Sequence, residues 1–146
     1  MEGLNYAGLQ AAIHRDLTGR SIRYRLIPAT TGVPAVGAVL TTAAGGWGAQ
    51  ADIVAAAAIA TNFWICGFFL DTLGAIQIYE VQISDGVPNV LTEFRFDPTA
   101  VTPNLGYIPA GPYPIYMVAN AQVQGRAGAA ALKVIGVSML YATGLA

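Results

Sequence analysis

The chain has 146 residues, long enough for one domain with a sizeable core. Charged residues make up only 10 % of it and hydrophobic residues 55 %, whereas soluble domains typically carry about 25 % charge. The formal net charge of -1 excludes a protein that is drawn to nucleic acid or anionic lipid by its overall charge. The surplus of apolar residues predicts that other subunits cover much of the surface.

One amphipathic helix is predicted near the start of the chain, over residues 5–18. Its apolar side chains recur at three- and four-residue spacing, as in a helix that packs one face on a neighbour: Tyr6, Leu9, Ile13 and Leu17. Asn5 suits the N-cap and Gly19 the C-terminal end. We therefore divide the chain into an N-terminal helix or arm, residues 1–19, and a β domain, residues 20–146.

A basic strand is predicted to follow this helix. Tyr24 and Leu26 alternate with Arg23 and Arg25, which indicates a strand with a basic outer face. Four of the seven basic residues lie within positions 15–25: Arg15, Arg20, Arg23 and Arg25. Because the planar guanidinium group binds carboxylates in a bidentate way, these arginines are candidates for binding acidic groups on a partner. The alternative is a solvated face whose arginines serve solubility.

Residues 60–84 predict a central hairpin. Residues 62–70 are apolar on both alternating faces, as expected of a strand buried between two layers. Turn-forming side chains follow over residues 71–75, and residues 79–84 then alternate between apolar and polar.

The uncharged run over residues 53–70 has nearly the length of a membrane-spanning helix. Thr61 and Asn62 interrupt it, and Asp52 and Asp71 flank it where basic anchors would be expected. We therefore expect strands here and no membrane partner. A basic region followed by an apolar stretch does not occur at the N-terminus, so a cleaved signal peptide is not expected.

Further strands are predicted over residues 36–42, 90–96, 115–124 and 132–141. The last is apolar on both faces and therefore expected to be central. The proline-rich residues 97–114 predict a long loop, and a turn is expected at Gly125 to Gly128. Residues 52–60 suit either a helix or a strand, and their continuation favours a strand. Seven or eight strands after one helix predict a mainly β protein, an antiparallel β-sandwich of the jelly-roll type with a short N-terminal helix.

Residues that carry out catalysis or bind metal are scarce. His14 is the only histidine and Cys66 the only cysteine, so neither a nucleophile–histidine pair nor a metal-ligand spacing is indicated. We expect no enzymatic activity, no cofactor and no metal. Tyr107, Tyr113 and Tyr116 surround the proline-rich loop and are candidates for a loop contact, for packing, or for stacking on a sugar.

The C-terminal half carries a resemblance to a known family. The segment Tyr-Ile-Pro-Ala-Gly over residues 107–111, the strand over residues 116–124, a small-residue turn and an apolar last strand resemble jelly-roll decoration (cement) proteins of tailed-bacteriophage heads. The resemblance extends over residues 62–140 and implies a non-enzymatic structural protein on the outer surface of a capsid. It also implies a homo-oligomer, commonly a trimer, that binds the major capsid protein and stabilises neighbouring subunits. The N-terminal helix and the basic strand have no counterpart in it.

A second hypothesis is a carbohydrate-binding or receptor-recognising jelly-roll module of a phage head or tail fibre. The first hypothesis predicts an obligate oligomer, and the second predicts selective binding of a glycan.

Overall fold

The computed structural model describes residues 22–27, 37–86, 89–101 and 107–144. The helix predicted over residues 5–18 lies outside these ranges, as do Arg15 and Arg20. No helix occurs within the described residues, and the prediction of a mainly antiparallel β protein is confirmed. The described strands, in chain order, are β1 Arg23–Ile27, β2 Ala38–Ala44, β3 Gly46–Trp47, β4 Ala51–Val54, β5 Phe63–Leu73, β6 Tyr79–Asp85, β7 Val90–Phe96, β8 Tyr107–Pro109, β9 Ile115–Met117, β10 Val123–Ala129 and β11 Val134–Thr143.

The strands form two layers that share β2. In one layer, β5 lies beside β11 and carries β8 and β9 on its other edge, while β1 and the first half of β2 pair with the far edge of β11. In the other layer the order is β7, β6 and β10, and β4 and the second half of β2 pair with the far edge of β10. We call them the β11 layer and the β6 layer. All these pairings are antiparallel except the one between β10 and β2.

The sheet is nearly closed, because its two outer edges meet. The Thr92 hydroxyl of β7 donates a hydrogen bond to the Ala110 carbonyl just after β8, at 2.7 Å. Phe94 of β7 also stacks on Phe68 of β5, with 5.5 Å between the ring centroids. These contacts cover edges that would otherwise expose unpaired backbone groups.

The core lies between the inner faces of the two layers. Its largest fully buried side chains include Phe63 and Phe68 of β5 and Tyr79 of β6. The Tyr79 hydroxyl donates to the Ala75 carbonyl at 2.7 Å, so its polar end is satisfied inside the bend that follows β5. In the described part of the chain, every buried side-chain nitrogen or oxygen has a hydrogen-bond partner.

The predicted central hairpin is wrong, although both of its strands exist. β5 pairs with β11, β8 and β9, whereas β6 pairs with β7 and β10, so the two strands lie in opposite layers. The bend over residues 74–78 is exposed or half-buried and leads from one layer to the other. Gly74 donates its backbone N–H to the Val134 carbonyl at 2.8 Å, which holds the end of β5 beside β11. Positions 71–73, expected to turn, continue β5.

The predicted strand over residues 115–124 is also divided. β9 ends at Met117, and a turn with Asn120 at a φ of 65° precedes β10. Asparagine adopts this left-handed conformation more readily than most residues. The expected turn at Gly125 to Gly128 lies inside β10, and the proline-rich loop contains β8. The last strand is confirmed as central, since β11 pairs with β1, β2 and β5.

Candidate functional site

A row of aromatic side chains crosses the outer surface of the β11 layer. In the register of the four strands, Tyr24 of β1 lies opposite Ala142, Ala142 opposite Trp64, and Trp64 opposite Tyr116 of β9. Residues directly opposite in antiparallel strands project to the same side of a sheet. The other side is the core side, because the next residue along β5, Phe63, is fully buried. The small Ala142 leaves room for the larger rings beside it.

The rings in this row contact one another and their neighbours. Trp64 and Tyr116 meet edge to face with 5.0 Å between centroids, and Phe69 and Tyr107 lie 5.7 Å apart. Leu26 and Leu140 are opposite each other on the same side. We call this surface the aromatic face, and its members are Tyr24, Leu26, Trp64, Phe69, Tyr107, Tyr116 and Leu140.

Tyr107 is held against β5 by its ring and by its hydroxyl. The hydroxyl donates a hydrogen bond to the Cys66 carbonyl. The ring lies over Gly67, where an added Cβ would stand 2.3 Å from Tyr107 Cε2. Only a glycine at position 67 therefore allows this arrangement.

Much of the aromatic face is open to solvent. Tyr24 is 63 % exposed, Tyr116 49 % and Tyr107 44 %, while Trp64, Phe69 and Leu140 are half-buried. None of its seven members carries a charge. Contiguous exposed apolar patches mark interaction surfaces, and tyrosine and tryptophan are enriched in the regions that contribute most of the binding energy.

The Cys66 thiol and the Tyr107 hydroxyl, in the centre of this face, are uncharged at neutral pH. Burial raises the pKa of the Cys66 thiol, and the smaller effect of a hydrogen bond from the Ala142 backbone lowers it. Burial likewise raises the pKa of the Tyr107 hydroxyl, and the nearby Cys66 and Tyr24 raise it further. A thiol with a raised pKa is a poor nucleophile, so Cys66 belongs to the packing of the surface.

The described arginines of β1 lie at one end of the aromatic face. Arg23 and Arg25 are exposed, as predicted. The two faces of the strand, however, are the reverse of the prediction, which placed the arginines on the outer side. Arg25 lies opposite Tyr141 on the core side, whereas Tyr24 and Leu26 lie on the outer side. The reversal is tolerated because β1 is an edge strand with exposed side chains on both sides. The arginines therefore flank the aromatic face and do not form it.

The structure brings together some of the predicted site residues. Tyr107 and Tyr116 lie on the same side of β5, while Tyr113 lies in the loop between β8 and β9 and is 80 % exposed. Tyr24 and Trp64 are not recognisable as site residues from the sequence, because each stands in an apolar alternation that is typical of core residues. The strand register decides which side of the sheet they face, and no local sequence pattern predicts the register.

Comparison of the chain with protein-family models, with curated proteins and with solved structures finds no match in any of the three. Within the described ranges, no group of three or more histidine, cysteine, aspartate or glutamate residues could hold a metal ion. The same residues contain no helix that is long and apolar enough to cross a membrane.

Proposed function

We propose that the protein is a non-enzymatic structural protein of a virion, which oligomerises and binds the outside of a bacteriophage capsid. There it stabilises neighbouring major capsid subunits, as a decoration or cement protein does. The observation that carries this proposal is the exposed, uncharged aromatic face with arginines at one end. In this proposal the aromatic face joins the copies of the oligomer, and the arginines of β1 contact the shell.

The fold within this proposal is a jelly-roll sandwich. Its support is that two layers pack face to face and that the chain crosses between them, as it does from β5 to β6. The range 62–140, which carries the resemblance, includes β5 to β10 and most of β11.

The aromatic face suits a permanent contact between identical copies. Removing a large apolar side chain from water stabilises a contact by about 1.5–3 kcal/mol, and several such rings lie side by side here. Burying this face costs no desolvation of charge, because it has none. Permanent interfaces between identical chains are accordingly the most apolar ones.

Arg23 and Arg25 suit a weaker contact with the shell. Exposed ion pairs contribute about 0–1 kcal/mol each and are screened by salt. A single copy would therefore bind weakly, but an oligomer that presents several pairs of arginines at once binds more tightly through avidity. Acidic groups on the major capsid protein are the partner that this chemistry requires.

The experiment measures attachment of the purified protein to empty shells that lack it, at low and at high salt. The wild-type chain should attach, and the double variant Arg23→Glu, Arg25→Glu should attach at least about tenfold more weakly at low salt, with the difference shrinking at high salt. The matched control is Arg95→Glu, Lys133→Glu, which changes the net charge equally at positions outside β1 and should attach like the wild type.

A wild-type oligomer that does not attach to shells under either condition contradicts the proposed function. If the β1 variant and its control attach equally well, the arginines serve solubility and another surface contacts the shell.

A further inference from the structure

The outer side of the β6 layer carries a row of polar side chains that is internally satisfied. Glu93, Gln82 and Arg126 lie opposite one another on β7, β6 and β10. Arg126 Nε donates to Gln82 Oε1 at 2.6 Å, and Gln82 Nε2 donates to Glu93 Oε1. Gln82 is only 7 % exposed, so this row is part of the packed structure.

The next row of residues across β7, β6 and β10 has no such hydrogen bonds between side chains. Arg95 lies opposite Glu80, and Glu80 lies opposite Gly128. Among the described residues, neither the Glu80 carboxylate nor the Arg95 guanidinium group makes a side-chain hydrogen bond or salt bridge. Because position 128 has no side chain, the surface above this row is open.

Trp47 of β3 forms one wall of this open space. The Arg126 guanidinium carbon lies 5.1 Å from the centroid of the Trp47 ring, and Trp47 is 37 % exposed. A Cβ at position 128 would lie 3.1 Å from the Gly46 carbonyl oxygen and 3.5 Å from Trp47 Cε3, so the glycine lets β3 lie close to β10. A groove of about 560 Å³ is lined by Gly46, Trp47, Ile78, Glu80, Arg95 and Gly128.

We infer that this groove binds a neutral saccharide. Its charges are balanced, since the lining carries one carboxylate, Glu80, and one guanidinium group, Arg95, so the groove does not select an ion. Glu80 can only accept hydrogen bonds and Arg95 can only donate them, and they are adjacent. Neighbouring hydroxyl groups of a sugar ring satisfy both, because each hydroxyl donates and accepts.

The exposed ring of Trp47 completes the match. Arg126 covers one face of the Trp47 indole, and the electron-rich opposite face is the one that attracts the polarised C–H groups on the flat side of a sugar ring. The groove also falls within the roughly 300–1,000 Å³ that is typical of small-ligand sites. Binding here goes beyond the proposed structural role, and it uses the layer opposite the aromatic face.

The test begins with Trp64→Phe, which leaves Trp47 as the only tryptophan, since the chain has two. Its fluorescence is titrated with neutral tetrasaccharides of glucose, galactose, mannose and N-acetylglucosamine. At least one should give a saturable change, which calorimetry on the unaltered chain should reproduce with a Kd of about 1 mM or tighter. Glycine and tryptophan as free amino acids, titrated by calorimetry, serve as zwitterionic control ligands that should not bind comparably.

Variants locate the site. Glu80→Gln and Arg95→Gln should each weaken binding by about tenfold or more, because hydrogen bonds to charged groups are among the stronger ones. Asp97→Asn, an exposed carboxylate just after β7, is the matched control and should leave the affinity unchanged. Thermal melts confirm that all variants fold, and Glu80→Gln should attach to shells like the wild type.

The inference is overturned if no saccharide binds, if an amino acid binds more tightly than every saccharide, or if Glu80→Gln and Arg95→Gln bind as well as the control. None of these results bears on the shell attachment, which the variant with both β1 arginines changed tests separately.

Discussion

Tyr107 shows how one half-exposed residue can join two strands. Its hydroxyl bonds to the Cys66 carbonyl, its ring covers Gly67, and Phe69 packs against the ring. β8 has only three residues, so little backbone pairing is available to hold it. The side chain of Tyr107 therefore supplies much of what keeps β8 on β5.

The raised pKa values of Cys66 and Tyr107 predict a loss of stability at alkaline pH. For both groups the folded chain binds the proton more tightly than the unfolded chain. Their contribution is therefore fully present below the unfolded pKa, about 8.5 for cysteine and 10 for tyrosine, and is lost as the pH rises through the higher folded values. Urea unfolding across this range should show the free energy of unfolding falling as the pH increases.

Removing the titrating groups should make this slope shallower. Cys66→Ala should reduce the fall that begins near pH 8.5, and Tyr107→Phe the fall above about pH 10. Tyr113→Phe, in the exposed loop, is the control and should titrate like the wild type. An equal slope in all four proteins would mean that other groups cause the alkaline loss.

At the scale of elements, β2 is the strand on which both layers depend. Its first residues pair with β11, and from Thr42 onward it pairs with β10. Thr42 is 1 % exposed, and its hydroxyl accepts from the Lys133 N–H at 2.7 Å and donates to the Ala131 carbonyl at 2.8 Å. The hydroxyl thus ties β2 to the connection between β10 and β11 at the point where the strand changes layers.

Thr42→Val should destabilise the protein by about 1–3 kcal/mol, because it keeps the shape but leaves the Lys133 N–H and the Ala131 carbonyl without this partner. Urea unfolding should show a lower midpoint at an unchanged slope. Thr42→Ser keeps the hydroxyl and should lose less. The neighbouring Thr41 is exposed, and Thr41→Val should change stability by no more than about 0.5 kcal/mol. If the two valine variants are equally stable, the Thr42 hydroxyl does not hold β2 to the connection between β10 and β11.

Strands whose alternation is regular and uninterrupted could be predicted from the sequence. β6, β7 and β11 follow from the sequence because at least one face of each is mostly apolar. The pairing of β5 was not predictable, because a bend back to a neighbouring strand and a bend to the opposite layer have the same local composition. The strand predicted over residues 115–124 failed for a similar reason, since alternation continues through the turn at Asn120.

The candidate site was predictable only in part, for a physical reason. Tyr107 and Tyr116 lie around the proline-rich segment, which marks them as candidates in the sequence. Tyr24 and Trp64 carry no such mark, because an aromatic residue in an alternating strand can face the core or the solvent. The antiparallel register with Ala142 decides between these sides, and register depends on contacts distant in sequence.

At the scale of the whole molecule, the two layers present opposite kinds of surface. The β11 layer shows the uncharged aromatic face, whereas the β6 layer shows Glu80, Glu93, Arg95 and Arg126 beside Trp47. Only 10 % of the residues in the chain are charged, and these four lie together on one side. An oligomer that covers the aromatic face leaves the polar layer in solvent, which accounts for both surfaces at once.

We predict that the chain is a cyclic homo-oligomer, with a trimer favoured, joined through the aromatic face. Multi-angle light scattering should give about three times the 15.1 kDa of one chain, with the mass unchanged on dilution through the micromolar range. Tyr116→Asp places a charge in the contact, where burial without a partner is strongly unfavourable, and should shift the mass to that of one chain. Tyr113→Asp adds the same charge to the 80 % exposed loop residue and should keep the wild-type mass. A wild-type mass of 15.1 kDa at every concentration, or equal masses for the two variants, would show that the aromatic face does not join copies of the chain.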